Sequence, residues 1–356
     1  MQRFDVEYLQ PPEPLDTHVD TGRLRRRALT AVTLLVVLAL VAWLAPGLGQ
    51  VRSQLDGADP GWLIAAVVLE GLSSASYVVM FRPIFCGRMT WRSATELGLS
   101  ELAVGSLVPA SGVGGLALGA WALRKSGMPA IQIAERSVAF FALKSAVNFV
   151  AVAILGVLMF AGLGPSLSPL LTILPAALAI AAMAVVVLLP RLLREPERLA
   201  GGGRWRRRFA TAIGAAGDGL REAGRVLRRG DVLVIAGSLG YWIFDNAVLW
   251  ATFHAIGTNP PITVVLMAYL LGQMGGLLPI PGGVGGIDGG LIGTFVLFGV
   301  DAAPAAAAVF AYRLILFWLP LLVGAVAFTN LRRGFNDATR PDLCAPMPAA
   351  PRVAGG

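Results

Sequence analysis

Apolar runs long enough to cross a lipid bilayer are the feature that most constrains the fold of this chain. A hydrocarbon core of about 30 Å needs roughly 20 apolar residues in a helix. In lipid, each backbone N–H and C=O must also find its partner inside the segment. With 56% hydrophobic and 14% charged residues, the composition is that of a polytopic membrane protein. We therefore predict an all-α membrane protein with unbroken spans at 28–46, 62–81, 137–163, 170–190, 232–257 and 305–329.

Two further apolar segments, 93–123 and 262–299, are each interrupted by Pro and clustered Gly. The interruptions read LVPASGVGGLALG at 107–119 and LPIPGGVGGIDGG at 278–290, and 278 − 107 gives a separation of 171 residues. Irregular backbone is tolerated at membrane depth only inside protein or beside water. Paired Gly/Pro-broken segments in two halves point to the binding site of a transporter. The alternative is two ordinary loops made similar by the general Gly and Pro content.

The positive charge is confined to one set of loops. The formal net charge is +8, and the segment 191–229 alone contributes +7, from eleven Arg and four acids. Further Arg residues lie at 23–27 and beyond 331, next to the first and last predicted spans. Such clusters mark cytoplasmic loops, so we expect a multi-pass protein of the inner (cytoplasmic) membrane with both termini cytoplasmic. Nucleic acid is not an expected partner.

Charge placement and span counting together predict an inverted repeat. One integral membrane domain, 28–330, divides into a first repeat at 28–163 and a second at 170–330, and each reads span, span, broken hairpin, span. An odd number of crossings per repeat forces the second copy upside down. We predict a cytoplasmic segment at 1–27, a disordered cytoplasmic tail at 331–356, and a pair of hairpins that are entered from opposite sides of the membrane.

The Arg-rich loop 191–230 contains an amphipathic pattern. Its apolar residues recur at helical spacing with Arg on the other face, at Phe209, Ile213, Ala216, Leu220 and Leu227. This pattern predicts a helix that lies on an anionic lipid surface. The alternative is a solvated linker.

Ionisable residues inside predicted spans are costly and are functional candidates. Aligning the repeats beyond the Gly motif places Arg313 opposite Phe141, one helical turn from Lys144, so each half carries a cation at similar depth. The predicted substrate-binding residues are Lys144, Arg313, Glu101, Asp288, Asp245, Gly112, Gly114, Pro281, Gly282, Gly283, Gly285 and Tyr312. In this hypothesis the two cations attract a phosphate, and helix amides after the Gly breaks bind the same anion. In the alternative, Glu101–Lys144 and Asp288–Arg313 are structural ion pairs.

Other chemistry is sparse. The two Cys and two His have no metal-ligand spacing, so neither a metal site nor a cofactor is expected. The sequence has no Walker-type phosphate loop, no Gly-x-Ser-x-Gly elbow and no His-Glu-x-x-His helix. We expect no catalytic residues.

The motif at 278–290, its degenerate copy at 107–119, the Arg-rich loop and the span count resemble the lysylphosphatidylglycerol synthase transmembrane-region family. The resemblance covers roughly 60–330. In bifunctional members, this region is associated with moving aminoacylated phosphatidylglycerol between leaflets, while a separate cytosolic domain makes that lipid. Only a short segment follows the last predicted span, so the resemblance implies lipid translocation or binding and not aminoacyl transfer. The first copy departs from the family pattern, since it has Ala110-Ser111 and no following acid.

The functional expectation is therefore a flippase-like protein that moves or binds an anionic phospholipid or a lipid-linked envelope precursor. One alternative is a membrane-embedded transferase acting on a lipid phosphate, with Glu101 or Asp288 as base. Another is a scaffold of a cell-envelope complex. The sequence leaves open whether the protein forms a homo-oligomer.

Overall fold

The computed structural model describes residues 49–107, 113–163, 168–192, 204–273 and 286–336. These residues form helices and no strands, so the all-α prediction is confirmed for this part of the chain. In chain order the helices are α1 Gly49–Asp56, α2 Pro60–Cys86, α3 Trp91–Leu107, α4 Val113–Lys125, α5 Ala130–Phe160, α6 Pro169–Leu192, α7 Arg204–Arg229, α8 Val232–Ala255, α9 Ile262–Gly272, α10 Gly286–Leu297 and α11 Ala302–Asn336. The predicted first span at 28–46 and the segment 1–27 lie outside the described residues. Of the predicted disordered tail 331–356, residues 331–336 are helical as the end of α11, and the rest lies outside the described residues.

Five of the described helices are long and apolar enough to cross a membrane. Their candidate spans are Pro60–Cys86, Ala130–Phe160, Pro169–Leu188, Val232–Ala255 and Ala302–Phe335. Each overlaps one of the predicted unbroken spans, and Pro60–Cys86 and Ala302–Phe335 contain theirs completely. The broken segments 93–123 and 262–299 instead fold as pairs of short helices, α3 with α4 and α9 with α10.

Local chemistry sets where the long helices begin and end. The carboxylate of Asp59 accepts a hydrogen bond from the Gly61 N–H at 2.7 Å, and Pro60 occupies the first turn of α2. Asp231 caps α8 in the same way, at 3.1 Å from the Leu233 nitrogen. Gly257, with φ of +74°, follows α8 in the left-handed region that favours glycine. Capping aspartates thus begin both α2 and α8.

The fold centres on the crossing of α2 with α8, which make the most extensive helix contact in the described structure. Gly237 on α8 lies directly against the α2 backbone, where an added Cβ would be 2.6 Å from the Met80 nitrogen and 2.8 Å from the Ser76 carbonyl oxygen. The two helices can approach this closely because α8 has no side chain there. Close approach through small residues is the usual way in which membrane helices associate.

The Arg-rich segment forms α7, as the amphipathic pattern predicts. Its small residues Ala215, Gly219 and Ala223 are buried, and Gly219 packs against the Glu135 carbonyl and the Val138 side chain of α5. Leu227, in the predicted apolar stripe, is 51% exposed. The helix therefore docks on α5 through its small residues, while Leu227 near its C-terminal end stays exposed. Its contact with an anionic membrane stays a prediction.

We expect Gly237→Ala to destabilise the protein, because the new methyl group meets the α2 backbone and not a side chain that can move. Forcing an extra carbon into a well-packed contact costs roughly 1–3 kcal/mol. The matched control is Gly293→Ala on α10, where an added Cβ has no heavy atom within 4 Å. Thermal unfolding of both variants in detergent tests this expectation. Equal midpoints for the two variants would show that the crossing tolerates separation.

Candidate functional site

Tyrosine marks the polar interior of this membrane domain. The chain has five Tyr, and Tyr77, Tyr241, Tyr269 and Tyr312 lie on four different membrane helices, α2, α8, α9 and α11. A buried tyrosine hydroxyl needs a hydrogen-bond partner. Three of the four find a carboxylate, and the acids that accept these bonds are Glu101 and Asp245.

Asp245 on α8 is the centre of this network. Its two carboxylate oxygens accept separate hydrogen bonds, from the Tyr269 hydroxyl at 2.5 Å and from the Tyr312 hydroxyl at 2.9 Å. The side chain is buried, with 5% of its residue surface exposed. The positive charges of Lys144 and Arg313 both attract it. Asp245 thereby joins α8 to α9 and α11, and it lies within the electrostatic reach of both predicted cations.

Lys144 on α5 is held mainly by aromatic faces. Its ammonium nitrogen lies 5.0 Å from the ring centroid of Tyr241, 5.7 Å from that of Phe141 and 5.8 Å from that of Tyr77. Cation–π attraction of this kind is strongest where water is excluded. Within the described part of the chain no carboxylate oxygen comes within 4 Å of it, although Asp245 and Glu101 attract its charge. The predicted alternative of a direct Glu101–Lys144 ion pair is therefore wrong.

Glu101 on α3 accepts a hydrogen bond from the Tyr77 hydroxyl at 2.9 Å. Its partner is thus a tyrosine and not the lysine that the ion-pair alternative named. Its carboxyl lies against Gly119 of α4, where any added Cβ would collide with it, and Gly115 packs on the Glu101 carbonyl. The first hairpin thus closes around an acid, with glycines making the room. The Tyr77 bond ties this hairpin to α2.

Arg313 on α11 pairs with Asp288 of α10, with 2.6 Å between Nε and the nearer carboxylate oxygen. Both side chains are partly buried, at 25% and 22% exposure. The predicted Asp288–Arg313 pair is confirmed. Because Asp288 lies in the first turn of α10, the arginine sits beside the helix start that follows the second Gly motif.

The hydrogen-bonded residues of the two halves have the same spacing in sequence. Tyr77 precedes its partner Glu101 by 24 residues, and Asp245 precedes its partner Tyr269 by 24. Lys144 follows Tyr77 by 144 − 77 = 67 residues, and Tyr312 follows Asp245 by 67. The two sets are therefore offset by 245 − 77 = 168 residues, with tyrosine and acid exchanged. This offset aligns Lys144 with Tyr312, one residue from Arg313, and not Phe141 with Arg313 as the sequence alignment predicted.

Several polar atoms around the network have no hydrogen-bond partner among the described residues. They are Glu101 Oε1, Asn148 Oδ1, Trp242 Nε1 and Asn246 Oδ1. Asn148 lies one turn from Lys144, and Trp242 lies one turn before Asp245. Leaving a buried polar group unsatisfied costs about 1–3 kcal/mol. These atoms leave hydrogen-bonding capacity for a polar ligand.

Comparison with known sequences identifies the family of this chain. The family described as "Lysylphosphatidylglycerol synthase TM region" matches residues 30–324. The chain belongs to this lysylphosphatidylglycerol synthase TM region family. The resemblance inferred from the Gly motifs is confirmed.

Curated relatives support the family assignment over nearly the whole membrane domain. A UPF0104 membrane protein of Methanothermobacter thermautotrophicus is 25% identical over 331 residues, covering 83% of this chain and 94% of that protein. A shorter match to a UPF0104 membrane protein of the same organism is 36% identical over 91 residues, or 25% of this chain and 26% of that protein. A UPF0104 membrane protein of Methanocaldococcus jannaschii is 31% identical over 103 residues, or 29% of this chain and 31% of that protein.

In this family member, the predicted site residues divide into two groups. The described side chains Lys144, Glu101, Asp245, Asp288, Tyr312 and Arg313 all belong to the network or to the adjacent Arg313–Asp288 pair. Gly114 lies in the first turn of α4, and α10 begins at Gly286, so a helix starts at each Gly quartet as predicted. Gly112, Pro281, Gly282, Gly283 and Gly285 lie outside the described residues. Binding of an anion at these helix starts stays a prediction.

The sequence reasoning missed Tyr77, Tyr241 and Tyr269. A usable signal was present, since four of five tyrosines fall within apolar helices. The shared spacing of 24 residues between tyrosine and acid was also readable. It was hidden because the two residue types exchange places between the halves.

Proposed function

We propose that this protein binds an anionic phospholipid or a lipid-linked envelope precursor and moves its head group across the cytoplasmic membrane. The observation that carries this proposal is the buried polar network centred on Asp245, which gathers Lys144 and Arg313 at membrane depth. Intramembrane charges are costly, and they usually mark the path of a substrate or ion. Helix packing alone does not require such a network, since buried ion pairs contribute little net stability.

The unsatisfied polar atoms favour a ligand with hydrogen-bonding groups. Trp242 Nε1 can donate, whereas Asn148 Oδ1 and Asn246 Oδ1 can accept. A lipid head group supplies both a phosphate that accepts and hydroxyl or amine groups that donate. The exposed apolar faces of the surrounding helices suit the acyl chains, which can stay in the bilayer while the head group crosses.

We propose a carrier and not an enzyme. Each of the two described acids that the sequence suggested as bases has a side-chain partner: the Tyr77 hydroxyl bonds to Glu101 Oε2, and Arg313 pairs with Asp288, while Glu101 Oε1 has no hydrogen-bond partner among the described residues. A general base needs to reach the proton that it abstracts. These contacts favour a positioning role for both acids over catalysis.

Reconstituted protein tests the proposal directly. We expect liposomes containing the protein to expose acyl-labelled phosphatidylglycerol of the inner leaflet to a membrane-impermeant quencher, in the absence of any donor substrate. Protein-free liposomes and liposomes with a boiled sample are the controls. If labelled lipid stays in its leaflet, and is chemically modified when a donor substrate is added in a second assay, the transferase alternative replaces the carrier.

A further inference from the structure

A groove between α2, α3 and α11 opens on the outer surface of the described structure. Its volume is about 320 Å³, and Ala75, Thr95 and Val323 are exposed residues that line it from the three helices. None of the described residues that line it is ionisable, and most are apolar. Because α2 and α11 are candidate membrane spans, this wall faces hydrocarbon and suits an acyl chain.

The groove has nearly the length of one lipid leaflet. Its wall runs from Gly71 to Val79 on α2 and from Trp91 to Leu99 on α3, and 79 − 71 and 99 − 91 both give a rise of eight residues. A helix rises about 1.5 Å per residue, so each wall is about 12 Å long. One leaflet contributes about 15 Å, which is half of a hydrocarbon core of about 30 Å. An acyl chain that enters at the Trp91 end can therefore lie along the groove within its own leaflet.

Arg82 places a positive charge at the Trp91 end of the groove. It lies one helical turn beyond Val78 and Val79, so it continues the α2 face that lines the groove. Its guanidinium carbon is 4.6 Å from the ring centroid of Trp91, and its Nε donates to the Met89 carbonyl at 2.6 Å. No carboxylate oxygen of a described residue lies within 4 Å of this guanidinium. The side chain is therefore held in place by contacts that leave its charge unneutralised.

The chain around this end of the groove is positive as a whole. From Arg82 to Glu96 the charged residues are three Arg and one Glu, which gives 3 − 1 = +2, and the Glu96 carboxylate pairs with Arg92 at 3.1 Å. Trp91 is 46% exposed at the start of α3, and tryptophan is enriched at the head-group level of membranes. Basic side chains at that level attract anionic lipid head groups. The groove thus combines an apolar wall of leaflet length with a cationic mouth.

We propose that this groove binds one anionic phospholipid, with an acyl chain between α2, α3 and α11 and the lipid phosphate at Arg82. The Nε of Arg82 is bonded to the protein, and its two terminal nitrogens face the phosphate oxygens, which a guanidinium binds in pairs. No residue of the network around Asp245 lines the groove. The lipid is held here and not moved, so this site does not rest on the proposed function.

Photo-crosslinking of the full chain in liposomes locates the lipid. The probe is phosphatidylglycerol with a diazirine on one acyl chain, diluted into phosphatidylcholine, and mass spectrometry maps the labelled peptides. We expect labelling at 71–79, 91–99 and 319–323, and weaker labelling there by phosphatidylcholine with the same diazirine chain. Arg82→Gln should lower the phosphatidylglycerol labelling by about tenfold, through the loss of one charge-assisted hydrogen bond. The matched control is Arg88→Gln, an exposed arginine of the same turn, which should be labelled nearly as the unmodified protein is.

A second pair of variants tests the groove without changing the charged turn. Val323→Trp should fill the groove and abolish labelling there, whereas Val326→Trp, an exposed valine of α11 outside the groove, should not. Equal labelling by the two probes, normal labelling in either folded variant Arg82→Gln or Val323→Trp, or a matching loss in Val326→Trp would overturn the site, because bulk lipid would then coat these helices without selection. Crosslinks between two copies of the chain in place of lipid labelling would also overturn it and assign the groove to a second copy. Arg313→Gln should leave groove labelling intact, and its loss there would contradict a site separate from the network.

Discussion

Replacing Asp245 by Asn is expected to produce the largest loss of stability of any single change in the network. The carboxylate accepts two tyrosine hydrogen bonds, at 2.5 Å and 2.9 Å, and it attracts both Lys144 and Arg313. Asn keeps one acceptor oxygen, places an amide donor against the second tyrosine hydroxyl, and removes a negative charge that attracts Lys144 and Arg313. Removing one member of a buried charged set costs about 3–5 kcal/mol.

Thermal unfolding in detergent measures this loss, with lipid movement in liposomes as the second readout. The matched control is Asp231→Asn on the same helix, because Asn caps a helix N-terminus about as well as Asp. Asp231→Asn should unfold near the unmodified protein, while Asp245→Asn should unfold well below it and should not move lipid. A normal unfolding midpoint for Asp245→Asn would mean that the network does not hold α8 to α9 and α11.

Hydropathy was sufficient to predict the spans because it reports directly on transfer into lipid. Each of the five candidate spans overlaps a predicted apolar run. The end of α11 differs from the prediction, since the helix continues to Asn336 beyond the predicted end at 329. Arg332 and Arg333 favour the helical conformation but not the bilayer, so an apolar window stops before the helix does. Composition thus predicts the lipid-crossing part of a helix better than its full length.

The partners within the network were beyond the reach of sequence reasoning. Lys144 has two acids and several aromatic rings within electrostatic reach, and the sequence offers no way to rank them. The structure places the Lys144 ammonium near the tyrosine rings. Glu101 accepts a hydrogen bond from the Tyr77 hydroxyl and makes no ion pair with Lys144. The Asp288–Arg313 pair was easier to predict, because short connections join α10 to α11 and limit where the two side chains can meet. Prediction failed where one residue has several chemically suitable partners, since Tyr77 and Glu101 are only 24 residues apart in sequence.

Arg313→Gln is expected to weaken lipid retention by about 10- to 150-fold, which corresponds to the loss of one charge-assisted hydrogen bond of roughly 1.5–3 kcal/mol. It should also lower stability, because Asp288 loses the guanidinium that lies 2.6 Å away. The two effects have different origins, so one further variant separates them. In Asp288→Asn combined with Arg313→Gln, no charge is stranded, and much of the stability should return.

Lipid retention in that double variant decides between the two roles of the arginine. If Arg313 binds a lipid phosphate, stability recovers and retention stays low, because the cation is still missing. If Arg313 serves only to neutralise Asp288, stability and retention recover together, and the phosphate site is excluded. Lys144→Gln should add to the loss of retention, since the two cations act on the same central acid. Arg332→Gln, an exposed change on the same helix, is the control. Native mass spectrometry measures lipid retention and thermal unfolding measures stability on the same preparations. The phosphate hypothesis requires that the double variant recovers stability while its lipid retention stays low.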